Sequence, residues 1–264
     1  MIVIYHENCY DGFTAAWLIW RNTVVRSDVQ IKFIPMQYGK DFSIDFRDQD
    51  VVIADFSFDR NTLEVINHQA KSLIVLDHHK TAEEALRGLP YCKFDMSKSG
   101  ARLVQEHFGY ANHWLVDYTE DRDLWKHSLP NTREINACIR LTPFDFEEFE
   151  MLASSFKGEL TIHGTTLLKY EENLISNALR AAEEVVFDGH KILKVNTTVL
   201  HSEIGHRLCK GRPFGMTYFC NEKEMVCSLR STDEGLDVSE IAKKYGGGGH
   251  RNAAGFKIIN GEFE

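Results

Sequence analysis

An acid and two histidines, Asp77, His78 and His79, directly follow the apolar run 73–76. A short apolar run that ends in polar residues is typical of a buried strand in an α/β sheet. Ligands of such sheets bind beyond the carboxyl ends of the strands. Imidazole binds several divalent transition metals, and a neighbouring carboxylate often fixes the tautomer of the ring. The triplet therefore indicates either a metal site or a surface loop that carries two histidines, and alone it does not decide between them.

Two further apolar runs lead into residues that bind metals. The run 1–5 is followed by His6 and then by Asp11, and the run 51–54 is followed by Asp55. Helical segments alternate with these runs, which predicts a mostly parallel sheet with helices on both faces. The carboxyl ends of parallel strands lie at one edge, so we expect these side chains to gather there. Oxygen and imidazole ligands suit Mn²⁺ or Mg²⁺, and Mn²⁺ is the better partner for histidine.

A fourth acidic cluster lies between apolar flanks in the segment 115–125, which contains Asp117, Asp121 and Asp123. Each of these acids taken alone is typical of a solvated helix end, because lone acids are mostly exposed. Together with the three strand ends, however, the cluster predicts that at least one of its acids is a metal ligand.

Composition limits the class of protein. The chain has 264 residues, of which 43% are hydrophobic and 26% charged, as expected for a globular protein of one large or two ordinary domains. A net charge of -9 argues against a protein that coats long nucleic acids. The six cysteines form no C-x-x-C pair, which favours reduced thiols. We therefore expect a cytoplasmic protein with no membrane partner.

The second half of the chain changes character. Few helix breakers follow Gly164, which predicts a long helix over 165–183, and Asp188-Gly189 between two apolar runs predicts a hairpin. We expect a catalytic domain over 1–160, a helical connector over 161–186 and a smaller α/β domain over 187–264. The glycine run 246–249 is either a flexible loop or a cradle whose backbone N–H groups approach a phosphate.

The motifs in this order resemble those of the DHH family of phosphoesterases. The residues that carry the resemblance are His6, Asp11-Gly12, Asp55, Asp77-His78-His79 and Asp121. The segments 226–230, 237–242 and 246–255 resemble the DHH-associated substrate-binding domain. The family resemblance implies two Mn²⁺ ions, with Mg²⁺ as the alternative. The ligands that it implies are His6, Asp11, Asp55, His78 and Asp121.

The resemblance also implies a role for each residue. Asp55 would bridge the two ions, and His79 would contact the scissile phosphate while Asp77 orients His78. In the second domain, the residues implied in substrate binding are Arg230, Gly247, Gly248, Gly249 and His250. An Arg side chain grips a phosphate in bidentate fashion, and a histidine adds a donor that can be cationic.

The first cluster departs from the family pattern. One family form reads Asp-x-Asp-Gly where this chain has Cys9-Tyr10-Asp11-Gly12, and another reads Asp-Gly-Asp where it has Asp11-Gly12-Phe13. Either way one carboxylate is missing, and a water, Cys9 or an acid from elsewhere would take its position.

The function implied is an Mn²⁺-dependent phosphodiesterase that hydrolyses short oligonucleotides or small nucleotide phosphodiesters to nucleoside monophosphates. One alternative is a phosphohydrolase of polyphosphate or of nucleotide phosphomonoesters. Another is a nucleotide-binding regulatory protein whose thinned first cluster has lost catalysis. The expected partner is the short oligonucleotide or nucleotide substrate, and a homodimer is left open.

Overall fold

A computed structural model of the chain describes residues 1–24 and 30–259. The backbone divides into two compact units, Met1–Leu168 and Lys169–Glu264. The predicted catalytic domain, connector and substrate-binding domain are a division by function, which this packing does not test, so they stay a prediction. None of the helices within the described residues has the length and apolar character that crossing a membrane requires.

The first unit contains a wholly parallel sheet, with its strands in the order β2-β1-β3-β4-β5. The strands are β1 (Ile2–His6), β2 (Lys32–Met36), β3 (Asp50–Ala54), β4 (Ser72–Asp77) and β5 (Cys92–Phe94). Sequence order reverses between β1 and β3, and in open α/β sheets such a switch point is where ligands bind. The prediction of a parallel sheet flanked by helices is confirmed.

Both faces of this sheet are buried. Val3 and Tyr5 of β1 belong to one apolar cluster, and Ile2 and Ile4 belong to another on the opposite face. The helices of this unit are α1 (Tyr10–Val24), α2 (Arg60–Gln69), α3 (Lys80–Leu86), α4 (Gly100–Phe108), α5 (Trp114–Asp123), α6 (Thr132–Leu141) and α7 (Phe146–Ser154). Because apolar residues pack against both faces of the strands, the strand ends hold their side chains in fixed positions.

A long helix, α8 (Lys157–Arg180), begins in the first unit and ends in the second. The prediction placed this helix at 165–183, so its start was eight residues too late. The sequence reading treated Gly164 as a break, whereas the structure continues the helix through it.

The second unit contains a six-stranded sheet in the order β10-β11-β9-β8-β7-β6. Its elements are β6 (Glu183–Phe187), β7 (His190–Asn196), α9 (His201–Leu208), β8 (Gly215–Cys220), β9 (Glu224–Arg230), α10 (Val238–Lys244), β10 (Gly248–His250) and β11 (Ala253–Ile259). The predicted hairpin joins β6 to β7, and Asp188 and Gly189 both have positive φ, as a type I′ turn requires. The smaller C-terminal α/β fold is thus present as predicted.

Candidate metal centre

Three neighbouring strands deliver the predicted ligands to one edge of the first sheet. Tyr5 is in register with Ala54, which is in register with Leu76. The residues that follow these three, His6, Asp55 and Asp77, therefore come out side by side. The three strand ends therefore lie together at one edge of the sheet, as the apolar runs led us to expect.

Asp55 lies at the centre of this cluster and is only 1% exposed. Its Oδ1 is 3.1 Å from His78 Nε2, and its Oδ2 is 3.6 Å from His6 Nδ1. The residue adopts a left-handed backbone with φ of 55°, and its amide donates to Leu76 O. A non-glycine residue in this conformation is strained, and such strain is concentrated at functional sites.

Asp11 enters the cluster from the first turn of α1. Its two carboxylate oxygens accept hydrogen bonds from the backbone N–H groups of Gly100 and Ala101, at the start of α4. A helix N-terminus stabilises a carboxylate through its unpaired amides and its dipole. Asp11 Oδ2 is also 3.7 Å from His78 Nε2.

Gly100 is a residue of the site that the sequence analysis missed. A Cβ at this position would lie 2.4 Å from Asp55 Cβ and 3.0 Å from Asp11 Oδ2, far inside normal contact distances. Ser99 caps α4 and is a visible sign of the helix start. The close approach to Asp55 depends on packing between distant segments, which leaves no local signal.

The structure places Asp121, a predicted metal ligand, in contact with the loop after α5, and its role as a ligand stays a prediction. Asp121 Oδ1 accepts hydrogen bonds from Ser128 N and Oγ, and Oδ2 accepts one from Leu129 N, so the side chain fastens the loop after α5. Asp123, the last residue of α5, instead places its Oδ2 3.4 Å from His78 Nε2. Asp123 is therefore the acid of the fourth cluster that lies beside His78.

The predicted pairing of Asp77 with His78 is corrected. Asp77 Oδ1 lies 2.7 Å from Nδ1 of His79 and accepts a hydrogen bond from the backbone amide of His78. The carboxylate thus orients the ring of His79 and fixes only the main chain of His78. Asp77 is completely buried, so it holds His79 from within the protein.

Several carboxylates lie close to His78, and they shift the pKa values of the groups in this cluster. Burial raises the pKa of Asp11 well above its ordinary value, and the neighbouring carboxylates of Asp55 and Asp123 raise it further. Burial also acts to raise the pKa of Asp55, but the neighbouring imidazoles of His6 and His78 outweigh it and hold that pKa well below the usual range. Burial opposes the charged form of His78, yet Asp55, Asp123 and Asp11 raise its pKa well above normal. The cluster thus favours positive charge at its centre.

Cys9 is one candidate for the position of the missing carboxylate, and its sulfur lies within 4.8 Å of donor atoms of His6 and Asp55. Phe13, the other residue at which the family pattern departs, is 1% exposed and stacks among Phe144, Phe146 and Phe149 in the core. The ring of Phe13 therefore packs in the aromatic core. Burial raises the pKa of the Cys9 thiol well above its ordinary value, and Asp55, Asp123 and Asp11 add to this effect.

The donor atoms form two groups that fit divalent cations. Ligand atoms of His6, Cys9 and Asp55 lie within 4.8 Å of one another, as do those of Asp11, His78 and Asp123. Asp55 Oδ2 and His6 Nδ1 are buried and have no hydrogen-bond partner among the described residues. A buried polar atom without a partner is unfavourable. A cation between the two would remove that cost, so the residues present fit a metal.

The glycine run in the second unit has a structural explanation other than the predicted cradle. Gly248 and Gly249 lie in β10 and pair with Gly255 and Ala254 of β11. A Cβ on Gly247 would lie 2.0 Å from Gly255 O, so close packing of the two segments requires glycine there. Substrate binding by Gly247, Gly248, Gly249 and His250 stays a prediction.

Arg230 is the last residue of β9. Its guanidinium donates to Ser202 Oγ and to Leu229 O, both at 2.8 Å. The side chain is therefore held in one orientation within the second unit, and its predicted contact with substrate stays a prediction.

Comparison with known proteins agrees with this site. The family model of the DHHA1 domain matches residues 195–264. The chain is 32% identical over 279 residues to the uncharacterized protein R106 of Acanthamoeba polyphaga mimivirus, covering 96% of this chain and 66% of that protein. It is 25% identical over 305 residues to the oligoribonuclease NrnB of Bacillus subtilis, covering all of this chain and 74% of that protein.

Two solved structures share the fold. PggH of Vibrio cholerae, a pGpG-specific phosphodiesterase, has a TM-score of 0.52 and 16% identity, with 98% of this chain and 93% of that chain covered. RecJ of Thermus thermophilus in complex with Mn²⁺ has a TM-score of 0.51 and 13% identity, with 97% of this chain and 49% of that chain covered. Together with the DHHA1 match and the similarity to NrnB, the fold and the ligand cluster lead to one conclusion. These findings support a phosphoesterase of the DHH family, whose members named here are metal-dependent hydrolases.

Proposed function

We propose that this protein is an Mn²⁺-dependent phosphodiesterase that hydrolyses short oligonucleotides or small nucleotide phosphodiesters to nucleoside monophosphates. The observation that carries the proposal is the pair of donor groups sharing the buried edge around Asp55. Their nitrogen and oxygen donors suit Mn²⁺ better than Mg²⁺ because two of them are the imidazole nitrogens of His6 and His78. The similarity to NrnB and the fold of PggH support a small nucleotide substrate.

The residues that would hold the cations are His6 and Asp55 for one and Asp11, His78 and Asp123 for the other. A divalent cation there lowers the pKa of bound water and neutralises charge on the phosphoryl oxygens. Asp55 contacts both His6 and His78, so it is placed to serve both groups.

His79 is the residue proposed to contact the scissile phosphate. Burial acts to lower its pKa, but the carboxylate of Asp77 outweighs burial and raises it. Because Asp77 accepts the hydrogen bond at Nδ1, the proton on that nitrogen is retained and the ring has a fixed tautomer. A cationic His79 would then donate from Nε2 to a phosphoryl oxygen and stabilise the charge that develops in the transition state.

An exposed aromatic ring beside the histidines supports a substrate that carries a base. Tyr38 is 48% exposed, and its ring centroid lies 5.8 Å from that of His6 and 6.3 Å from that of His79. Phe56 packs against the same ring at 4.7 Å and supports it from within. Nucleobases stack on such rings, whereas inorganic polyphosphate has no face to stack. The geometry therefore favours nucleotides over the polyphosphate alternative.

Tyr38 supplies a specific test of that preference. Removing a stacking ring costs about 1–3 kcal/mol per base, so we expect Tyr38→Ala to raise KM for a dinucleotide about 5- to 150-fold. Tyr38→Phe should keep the affinity, and neither variant should alter cleavage of a short polyphosphate if any occurs. Equal KM values for Tyr38→Ala and wild type on the dinucleotide would exclude base stacking here.

The experiment that tests the proposed function is a substrate panel with resolved products. The panel contains an RNA dinucleotide, a DNA dinucleotide, a cyclic dinucleotide and a short polyphosphate, each with Mn²⁺, with Mg²⁺ and with chelator. Asp55→Asn should abolish hydrolysis because it removes the shared ligand. Asp50→Asn is the matched control on the same strand, because Asp50 is part-exposed and contacts only Lys71 and Ser72 in the described hydrogen bonds.

Each outcome of the panel has a meaning. Release of nucleoside monophosphates with Mn²⁺, abolished by chelator and by Asp55→Asn, supports the proposal. Binding of nucleotides without turnover of any substrate would instead support the regulatory protein with a thinned first cluster. The predicted cytoplasmic location and homodimer stay predictions.

A further inference from the structure

Cys9 is held at the entrance of α1, with its thiol directed at the ligand cluster. Its carbonyl oxygen accepts a hydrogen bond from Phe13 N at 2.9 Å, so the residue caps the first turn of the helix. The amide of Gly12 points at the sulfur. The side chain is therefore positioned by the helix and does not sample the surface freely.

The sulfur shares a small volume with two other donors. Cys9 Sγ, a ring nitrogen of His6 and a carboxylate oxygen of Asp55 lie within 4.8 Å of one another. The cysteine does not stand alone, because Asp55 is 1% exposed and its Oδ2 has no hydrogen-bond partner in the described structure. This oxygen is the one that faces His6 Nδ1, at 3.6 Å. A buried carboxylate oxygen without a hydrogen bond, beside a thiol and an imidazole, is the arrangement of an N/O/S cation site.

We propose that Cys9, as a thiolate, is a metal ligand together with His6 and Asp55, and that this site prefers Zn²⁺ or Co²⁺ to Mn²⁺. The proposal rests on the proposed function only in placing a cation in this cluster. Thiolate replaces the family's carboxylate without changing the ligand charge, and it shifts the preference towards softer cations. Zn²⁺ is commonly bound by such a combination of sulfur, nitrogen and oxygen ligands. The proton of the thiol is released to solvent when the cation binds.

The second donor group differs in chemistry. Asp11, His78 and Asp123 supply only oxygen and nitrogen, which suits Mn²⁺ or Mg²⁺. The two sites of this chain would thus select different cations, and Asp55 would lie between them. Of the three candidates for the missing ligand that the sequence offers, this proposal selects Cys9.

Co²⁺ gives a direct test, since a thiolate ligand produces a sulfur-to-cobalt charge-transfer band in the near ultraviolet. The metal-free full chain is titrated with Co²⁺ and compared with Cys9→Ser, Cys9→Asp and the matched control Cys220→Ser, whose thiol is exposed in the second unit. We expect the band in wild type and in Cys220→Ser and its loss in Cys9→Ser and Cys9→Asp. In Cys9→Asp the ratio of Zn²⁺ to Mn²⁺ affinity should fall about tenfold or more. A wild type that binds Co²⁺ without the band, or a band that survives Cys9→Ser, overturns the proposal.

A second measurement does not depend on any variant folding. The wild-type chain is treated with an alkylating reagent with and without Zn²⁺, and modification of the Cys9 and Cys220 peptides is quantified by mass spectrometry. Zn²⁺ should slow alkylation of Cys9 about tenfold or more while Cys220 is unaffected. Equal alkylation of Cys9 in both conditions overturns the proposal. Neither readout involves hydrolysis, so a failure of the proposed function in the substrate panel is distinguished from a failure here.

Discussion

Gly100→Ala is the substitution that tests the geometry of the site most directly. The new Cβ would lie 2.4 Å from Asp55 Cβ and 2.8 Å from Asp55 Cα, whereas ordinary contact begins at 3.4 Å. Relief of the clash therefore requires a displacement of about 1 Å between α4 and the end of β3. The atoms in the way include Asp55 main chain, so rotation of a flexible side chain does not relieve the contact.

Two effects of this displacement are expected. Overpacking costs about 1–3 kcal/mol, and the better helix propensity of alanine returns up to about 1 kcal/mol of that. A net loss of about 1–2 kcal/mol lowers Tm by about 2–8 °C for a unit of this size. A misplacement of about 1 Å in a reacting group costs about 100-fold in rate. We therefore expect a modest loss of stability together with a large loss of hydrolysis and of Mn²⁺ affinity.

The assays are thermal unfolding, Mn²⁺ calorimetry and turnover of the best substrate from the panel. Gly158→Ala is the matched control, because Gly158 also lies in the first turn of a helix and its added Cβ would meet the ring of Phe156. Phe156 is 73% exposed, so its ring can turn away. Wild-type Mn²⁺ affinity and stability in Gly100→Ala would refute the reasoning that this glycine sets the position of Asp55.

Three further predictions follow from the same contacts. Asp123→Asn should weaken Mn²⁺ binding about tenfold or more with no loss of Tm. Asp121→Asn should instead lower the free energy of unfolding by about 1–3 kcal/mol and leave the Mn²⁺ affinity measured by calorimetry unchanged. The reverse result would restore Asp121 as the ligand. Burial and the Arg21 guanidinium lower the pKa of His113 to about 4 in the folded chain. In the unfolded chain this histidine has an ordinary pKa near 6.5, so the unfolded state binds the proton more readily. Stability is therefore lost as pH falls from about 6.5 to 4. In denaturant titrations the wild type should therefore lose on the order of 1–2 kcal/mol more over that range than His113→Asn, which keeps a helix-capping side chain, and equal pH dependence of the two would contradict this assignment. Mn²⁺ at about 100 times its Kd should stabilise the wild type by about 2.7 kcal/mol but should not stabilise Asp55→Asn to the same degree, and thermal scans with and without the ion compare them.

Much of the site can be predicted from the sequence because each apolar run is followed directly by polar residues, which mark the end of a strand. His6, Asp55 and the Asp77-His78-His79 triplet each follow such a run, and parallel pairing then brings them together. The parallel strands, the long helix and the hairpin at Asp188-Gly189 follow from the same local patterns. Local pattern is sufficient wherever the contact partner is the neighbouring strand.

The choice between Asp121 and Asp123 shows where local pattern stops. Both acids lie near the end of α5, and nothing in the segment itself distinguishes them. The two acids differ because Ser128 and Leu129, which follow the helix, donate hydrogen bonds to the carboxylate of Asp121. The glycine run is a similar case, since Gly247 is required by the approach of Gly255 and not by a ligand. Contacts across a loop or between strands of unknown register have no signature in composition or periodicity.

The hydrogen bond from Gly100 to Asp11 spans 89 residues of chain, and Asp123 joins the cluster from still further along. Contacts between segments so distant form only after much loop-closure entropy has been lost, so the donor set is completed late in folding. A partly folded chain would hold isolated histidines and acids but no closed cluster. A cation that binds only the complete cluster shifts the folding equilibrium towards the folded state. A bound cation would therefore stabilise the folded first unit against unfolding, and its supply would influence how much of the chain is folded.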